Sequence, residues 1–224
     1  TAQLVQQLGD ALDAAAQAEK QAVMAETDED SRRFAGNARN ATDKVGALLA
    51  ELKQLPQPNA QQAELLARFE AAFAEYLKVD QDVLGLAVQN TNIKALALSF
   101  GPAALALDEL EQALRPLQSG PNDTQARQAQ RVLSEALRIQ SLHAPHIMEK
   151  TDQRMDALEK RIAASNQAAR EALAALGKQQ AGAKALAVYD RYWTLSAEII
   201  DLSRQNTNVR SLALSLERKS TVLE

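Results

Sequence analysis

Two amides and two cations recur together in this chain. Asn90 is followed four residues later by Lys94, and Asn206 by Arg210. Side chains at i and i+4 share a helix face, so each pair would present an amide and a positive charge side by side. That combination suits a small anion: the cation attracts it, the amide orients it, and desolvation strengthens both. Arg138, from a different helical tract, is a third cation expected at the same level. Tyr76 and Tyr192 occupy equivalent positions and could gate a small pocket, although core packing with a bonded hydroxyl is the default for such residues. The asparagines also have a structural alternative. In an apolar seam they can fix register, or bond a neighbouring helix where its backbone is broken. A buried amide left unsatisfied would cost roughly 1–3 kcal/mol, so both asparagines need partners.

Other chemistries find less support. His143 and His146 lie three apart around Pro145. The proline spoils regular pairing and no third ligand is evident, so no metal site is expected and the histidines read as solvated residues at a break. There is no cysteine, which excludes disulfides and thiolate ligands. No Gly-rich phosphate loop, nucleophile elbow or histidine–carboxylate motif occurs. Neither catalytic residues nor a cofactor are therefore expected. The formal net charge is −4, which gives no basic footprint for nucleic acid. No run of about 18 apolar residues is present to span a membrane.

The elements that must position these residues are helices. The chain is 46% hydrophobic and rich in Ala, Leu, Gln, Glu and Arg, a helix-forming composition. The asparagines belong to a word used twice: QNTNIKALALS at 89–99 and QNTNVRSLALS at 205–215, identical at eight of eleven positions. Tyr76, Val79, Val83, Leu86, Ile93, Ala97 and Phe100 form one apolar stripe through it. Tyr192, Leu195, Ile199, Leu202, Val209 and Leu216 form the other. Pro56 and Pro58, then Pro116 and Pro121, then Gly177 and Gly182, mark breaks between four tracts near 2–54, 60–115, 123–176 and 183–224. Asn122 or Asp123 is a candidate cap. Tracts one and three each hold a stop-and-restart, MAETDED at 24–30 and MEKTDQR at 148–154, because Thr and Asp favour caps over helix interiors.

These repeats imply an internal duplication. Unit one is 1–116 and unit two 117–224, each with two short helices followed by a long one. The expected fold is all-α: one elongated domain, 1–224, of two stacked four-helix bundles sharing two long helices. Antiparallel packing places 1–25, 90–148 and 206–224 in the bundle near the termini, and 26–89 with 149–205 in the far bundle. The chain begins with Thr1 and ends at Glu224 inside a helical pattern, as expected of an excised domain.

This layout resembles the helical bimodular sensor domain of bacterial chemoreceptors and some sensor kinases. The resemblance rests on the six-helix order, the duplicated unit, and residues 15–30, AAQAEKQAVMAETDED, near the family's Glu-Lys and Thr-Asp pattern. It implies a periplasmic domain of an inner-membrane protein, flanked by two transmembrane helices. Its ligand would be a small molecule, often a carboxylate, with weak or ligand-dependent homodimerisation. Family arginines from the first and fourth short helices often hold the carboxylate. Here 2–24 contains no arginine, whereas the fourth carries Arg127, Arg131 and Arg138. One kinase of this architecture reads a periplasmic binding protein, which makes a protein partner the alternative to a small molecule.

Overall fold

The computed structural model describes residues 2–55, 60–119, 122–177 and 180–222, with side chains to 217. Among the described residues every regular element is helical. The order is α1 (Ala2–Val23), α2 (Asp28–Gln54), α3 (Ala60–Ala87), α4 (Thr91–Leu98), a π-helical turn (Ser99–Ala103), α5 (Ala104–Gln118), α6 (Asp123–Ile147), α7 (Asp152–Leu176), α8 (Gln180–Gln205) and α9 (Thr207–Val222). None is long and apolar enough to cross a membrane. Pro56, Pro58 and Pro121 lie outside the described residues.

Local chemistry explains most boundaries. Thr27 caps α2 in an extended conformation, accepting from the Asp30 amide at 3.1 Å. Asp28, Glu29 and Asp30 then lie in the first turn, where carboxylates complement the helix dipole. Asn122 is the cap of α6 and accepts from the amides of Thr124 and Gln125. Gly177 closes α7 at φ 78°, a left-handed value open to glycine. Three expected breakers lie within helices instead: Pro116 in α5, Pro145 in α6 and Gly182 in α8. A proline forfeits one helical bond to the carbonyl four residues back. For Pro145 that carbonyl belongs to Ser141, and both residues are exposed to water.

The chain divides into two compact units, one of Thr1–Asn90 with Thr207–Glu224 and the other of Thr91–Asn206. Unit 1 contains α1, α2, α3 and α9. Unit 2 contains α4, the π turn, α5, α6, α7 and α8. This grouping differs from the expected bundles. The turns at 24–27 and 148–151 reverse the chain, so α1 packs along α2, and α6 along α7. Residues 1–25 and 26–54 therefore share one unit, and 123–147 and 152–176 the other. The repeat boundary at 116/117 falls inside unit 2. An apolar stripe has the same period whether its helix continues beyond a turn or folds back beside it, so spacing alone does not separate the two arrangements.

Small residues line the hairpin seams. On α1, Leu8, Ala11, Ala15, Ala18 and Ala22 are buried, and on α2, Ser31, Ala35, Ala38, Thr42, Val45, Leu49 and Leu52. Steps alternating between three and four put them on one face. The core of unit 2 contains two fully buried aromatic rings, Tyr189 and Tyr192, both at 0% exposure among Leu110, Leu114, Ile139 and Ile199.

Candidate functional site

Each copy of the repeated word is a helix break. Asn90 separates α3 from α4 and Asn206 separates α8 from α9, and both take φ 51°. Asparagine tolerates this left-handed conformation better than other residues with a Cβ. The buried face departs from the expected stripe already ahead of each break, at Leu84 and Ala87 in the first copy and at Ser196 and Ser203 in the second. Thr91, Asn92, Ala95 and Ser99 are buried in the first copy, and Thr207, Ser211 and Ser215 in the second. Phe100 and Leu216, expected in the seam, are 70% and 55% exposed.

The amides are satisfied by the protein itself. In unit 1, Asn90 Nδ2 donates to Asp28 Oδ1 at 3.0 Å, and Asn90 Oδ1 accepts from Asn208 Nδ2 at 3.0 Å. In unit 2, Asn206 Nδ2 donates to the Glu149 carbonyl at 3.0 Å, and its Oδ1 accepts from Asn92 Nδ2 at 2.8 Å. Asn92 Nδ2 also donates to the Ile147 carbonyl at 2.8 Å. The first asparagine of each word thus bonds the second asparagine of the other word, and each clasp reaches the start of a short helix or the turn before it. Asn92 and Asn208 were legible in the word as its repeated fourth letters, but carry no apolar-seam signal.

The expected cations stand elsewhere. Asn90 belongs to unit 1 and Lys94 to unit 2, whereas Asn206 belongs to unit 2 and Arg210 to unit 1. Neither pair shares one helix, because the asparagine lies in the break, so the i, i+4 argument does not apply. Lys94 is half-buried and Arg210 exposed. Arg138 is exposed on α6 beside Glu135 at 3.3 Å. Tyr76 belongs to unit 1 and stacks on Phe73 at 6.0 Å between ring centroids. Tyr192 is buried in unit 2, donating to the Ala136 carbonyl at 3.0 Å. Burial pushes the Tyr189 and Tyr192 phenols well above their ordinary value.

The histidines are not solvated. Both are at 0% exposure, at the heart of unit 2. His143 Nδ1 lies 3.1 Å from Ser99 Oγ on the π turn, and its Nε2 lies 2.8 Å from Ser196 Oγ on α8. His146 Nδ1 lies 2.7 Å from Ser203 Oγ on α8, and Nε2 lies 3.1 Å from Glu159 Oε1 on α7. Glu159 in turn accepts from Arg204 Nε at 2.5 Å, and Arg204 also pairs with Asp156 and Asp152. Gln140 Nε2 donates to the Ser99 carbonyl at 2.8 Å, tying α6 to the π turn. Pro102 lies inside that turn, and insertions of this kind accompany functional positions in helices.

Burial lowers His143 to about 4, with the neighbouring His146 adding to the effect. Burial also lowers His146, against the opposing influence of Glu159. Arg204 and His146 hold the Glu159 carboxyl below its ordinary range. Glu159, His146 and Ser203 have the residue types of an acyl-transfer triad, but Ser203 is at 0% exposure and faces Nδ1, which leaves a substrate no approach. Among the described residues no group of three metal-ligating side chains is assembled.

Unit 1 has a counterpart at the same repeat positions. Glu19 precedes His143 by 124 residues and Ser215 follows Ser99 by 116, the offsets of the duplication. Ser215 Oγ donates to the buried Glu19 Oε1 at 2.7 Å. A helix-pairing polar bridge thus occupies equivalent places, built on a carboxyl in unit 1 and an imidazole in unit 2. Unit 1 also has a surface recess of about 510 Å³ whose lining includes Lys20, Met24, Glu26, Asp30 and Phe34, and none of Tyr76, Asn90 or Arg210.

Comparison with known proteins finds no matching family model, no similar curated protein and no similar solved structure. The functional reading therefore rests on the chain's own geometry.

Proposed function

We propose that this chain is the extracytoplasmic sensor domain of a transmembrane chemoreceptor, recognising a small organic acid and passing a signal across the inner membrane from the periplasm. The observation that carries the reading is the construction of the two units. Each combines a hairpin of short helices with one segment from each tract bearing the repeated word, and the chain passes between units at Asn90–Thr91 and Asn206–Thr207. Duplication of a three-helix unit would account for that plan, and a duplicated unit is one of the features on which the resemblance to helical bimodular sensors rests. On this reading the domain has no catalytic role, binds neither cofactor nor nucleic acid, and forms a weak or ligand-dependent homodimer. Lys94 and Arg138 in unit 2 and Arg210 in unit 1 remain candidates for holding a carboxylate, each taken within its own unit.

The test is thermal melting of the full chain against a set of small metabolites. A ligand at 100 times its dissociation constant should stabilise the fold by about 2.7 kcal/mol. Absence of a shift with every carboxylate would remove the small-acid reading. A second reading, recognition of a periplasmic partner protein, is favoured by the large apolar side chains left outside: Met24 at 75%, Met148 at 72% and Phe100 at 70% exposure. Scattered apolar exposure is ordinary, so this reading requires a measured complex with a solute-binding protein.

A further inference from the structure

We propose that unit 2 contains a proton-responsive seam: His143 and His146 hold α6 against the π turn, α7 and α8 while neutral, and their protonation loosens that packing. The geometry supplies each part. Four ring nitrogens meet four protein partners, three of them serine hydroxyls at 0–2% exposure. A hydroxyl can donate to or accept from a neutral imidazole, so neutral His143 satisfies its bonds in either tautomer, whereas neutral His146 does so with its proton on Nε2, donating to the Glu159 carboxylate. An imidazolium brings a full charge into the same space. Around His143 the facing groups are Ser99 from the π turn, Ser196 and Tyr192 from α8, and His146 on its own helix. None is an anion. A charge there is compensated only by hydroxyl dipoles, and a second charge on His146 repels it.

His146 differs in having a route outward. Its Nε2 meets Glu159, whose side chain is 33% exposed, and Arg204 beyond it is 29% exposed. The remaining groups acting on it are Glu149 from the turn before α7 and Ser203 from α8. Glu159 can therefore pass a proton between water and His146. Arg204, held by Glu159, Asp156 and Asp152, opposes a positive charge on that ring. The π turn is where loosening would register, because both His143 and Gln140 fasten it through Ser99. The corresponding bridge in unit 1 uses Glu19 and Ser215 and has no imidazole.

The chain's two histidines and single tryptophan make the test specific. The imidazole proton signals and the Trp193 indole signal are followed by NMR on the full chain from pH 8 to 3, with amide exchange measured at both ends. The expected result is that both imidazoles titrate below the ordinary 6.5. Trp193, packed against the unit 2 core, shifts as they protonate. Amide protection falls in α6 and α8 before it falls in α1 and α2. A His143→Gln, His146→Gln double variant should lose the Trp193 transition. The proposal is overturned if an imidazole titrates at or above 6.5, if both protonate without a Trp193 response, or if protection is lost equally in both units. If the double variant does not fold, co-titration in the unaltered chain still decides.

Discussion

Asn206 offers the sharpest test of the clasp, because its backbone and its side chain contribute separately. Asn206→Gly keeps access to φ 51° but removes the bonds to Glu149 and Asn92. Asn92 retains its bond to the Ile147 carbonyl. Two lost hydrogen bonds at about 1 kcal/mol each predict a cost of about 2 kcal/mol. Asn206→Ala loses the same bonds and also forces a Cβ into the left-handed region, adding about 1 kcal/mol. Alanine should therefore be the worse substitution, at about 3 kcal/mol, although it is the better helix former by about 1 kcal/mol in a helix interior. Urea unfolding read by Trp193 measures unit 2, where all these residues lie, and avoids assuming that the whole chain melts in one step. An alanine variant as stable as the glycine variant, or more so, would refute the left-handed break. If both lost less than about 0.5 kcal/mol, the clasp would not be a stabilising contact.

Further predictions test the rest of the scaffold. With His143 lowered from 6.5 to about 4, the unfolded chain binds more protons between those values, so stability is full above pH 6.5 and falls as pH drops towards 4. Linkage gives a loss of about 2 kcal/mol by pH 5; denaturant titrations from pH 8 to 5 should show it, and His143→Gln should flatten the slope. Thr27→Ala should cost about 1 kcal/mol by removing a side-chain cap, whereas Thr151→Ala should cost less, since Thr151 makes no capping bond from its side chain; paired thermal melts decide. Under the ligand reading, Arg210→Ala should weaken carboxylate binding by about 1.5–3 kcal/mol with little change in stability, measured by calorimetry on whichever acid the melting screen identifies.

The sequence announced its helices more clearly than its folding-back. The caps at Thr27 and Asn122 were legible because Thr and Asn followed by a helical pattern have a local mechanism that tertiary packing does not override. The repeated asparagines were legible as polar intrusions needing partners, and the structural alternative, bonding at a broken backbone, describes their observed contacts. Their left-handed conformation was hidden because Val83, Leu86 and Ile93 keep helical spacing across the break. The histidines were misread for a similar reason. Pro145 looked like a stop, yet α6 carries it on an exposed face and continues to Ile147. Once α6 continues, His143 and His146 join Ile139 on the buried face, and serines on α8 spaced seven apart, Ser196 and Ser203, fall opposite them. Serine at that spacing is too common for the pairing to be read without knowing which helices meet.

The observed buried face and the apolar stripe expected from the sequence make opposite predictions for Phe100 and Ala95. The expected stripe would bury Phe100 and leave Ala95 off the seam. The structure instead leaves Phe100 70% exposed and Ala95 at 0%. Phe100→Glu should then change stability by no more than about 0.5 kcal/mol, the scale of an exposed substitution. Ala95→Glu places a carboxylate in the unit 2 core without a partner and should cost about 3 kcal/mol or more, or prevent folding. Urea unfolding read by Trp193 compares the two. Severe destabilisation by Phe100→Glu together with tolerance of Ala95→Glu would reinstate the expected stripe and refute the buried face observed here. The same variant separates the two functional readings. A folded Phe100→Glu chain that still binds an organic acid, but no longer binds a solute-binding protein that the unaltered chain does bind, would place protein recognition on this exposed face. Equal loss of both would assign Phe100 to the small-molecule response, where neither its exposure nor its chemistry now places it.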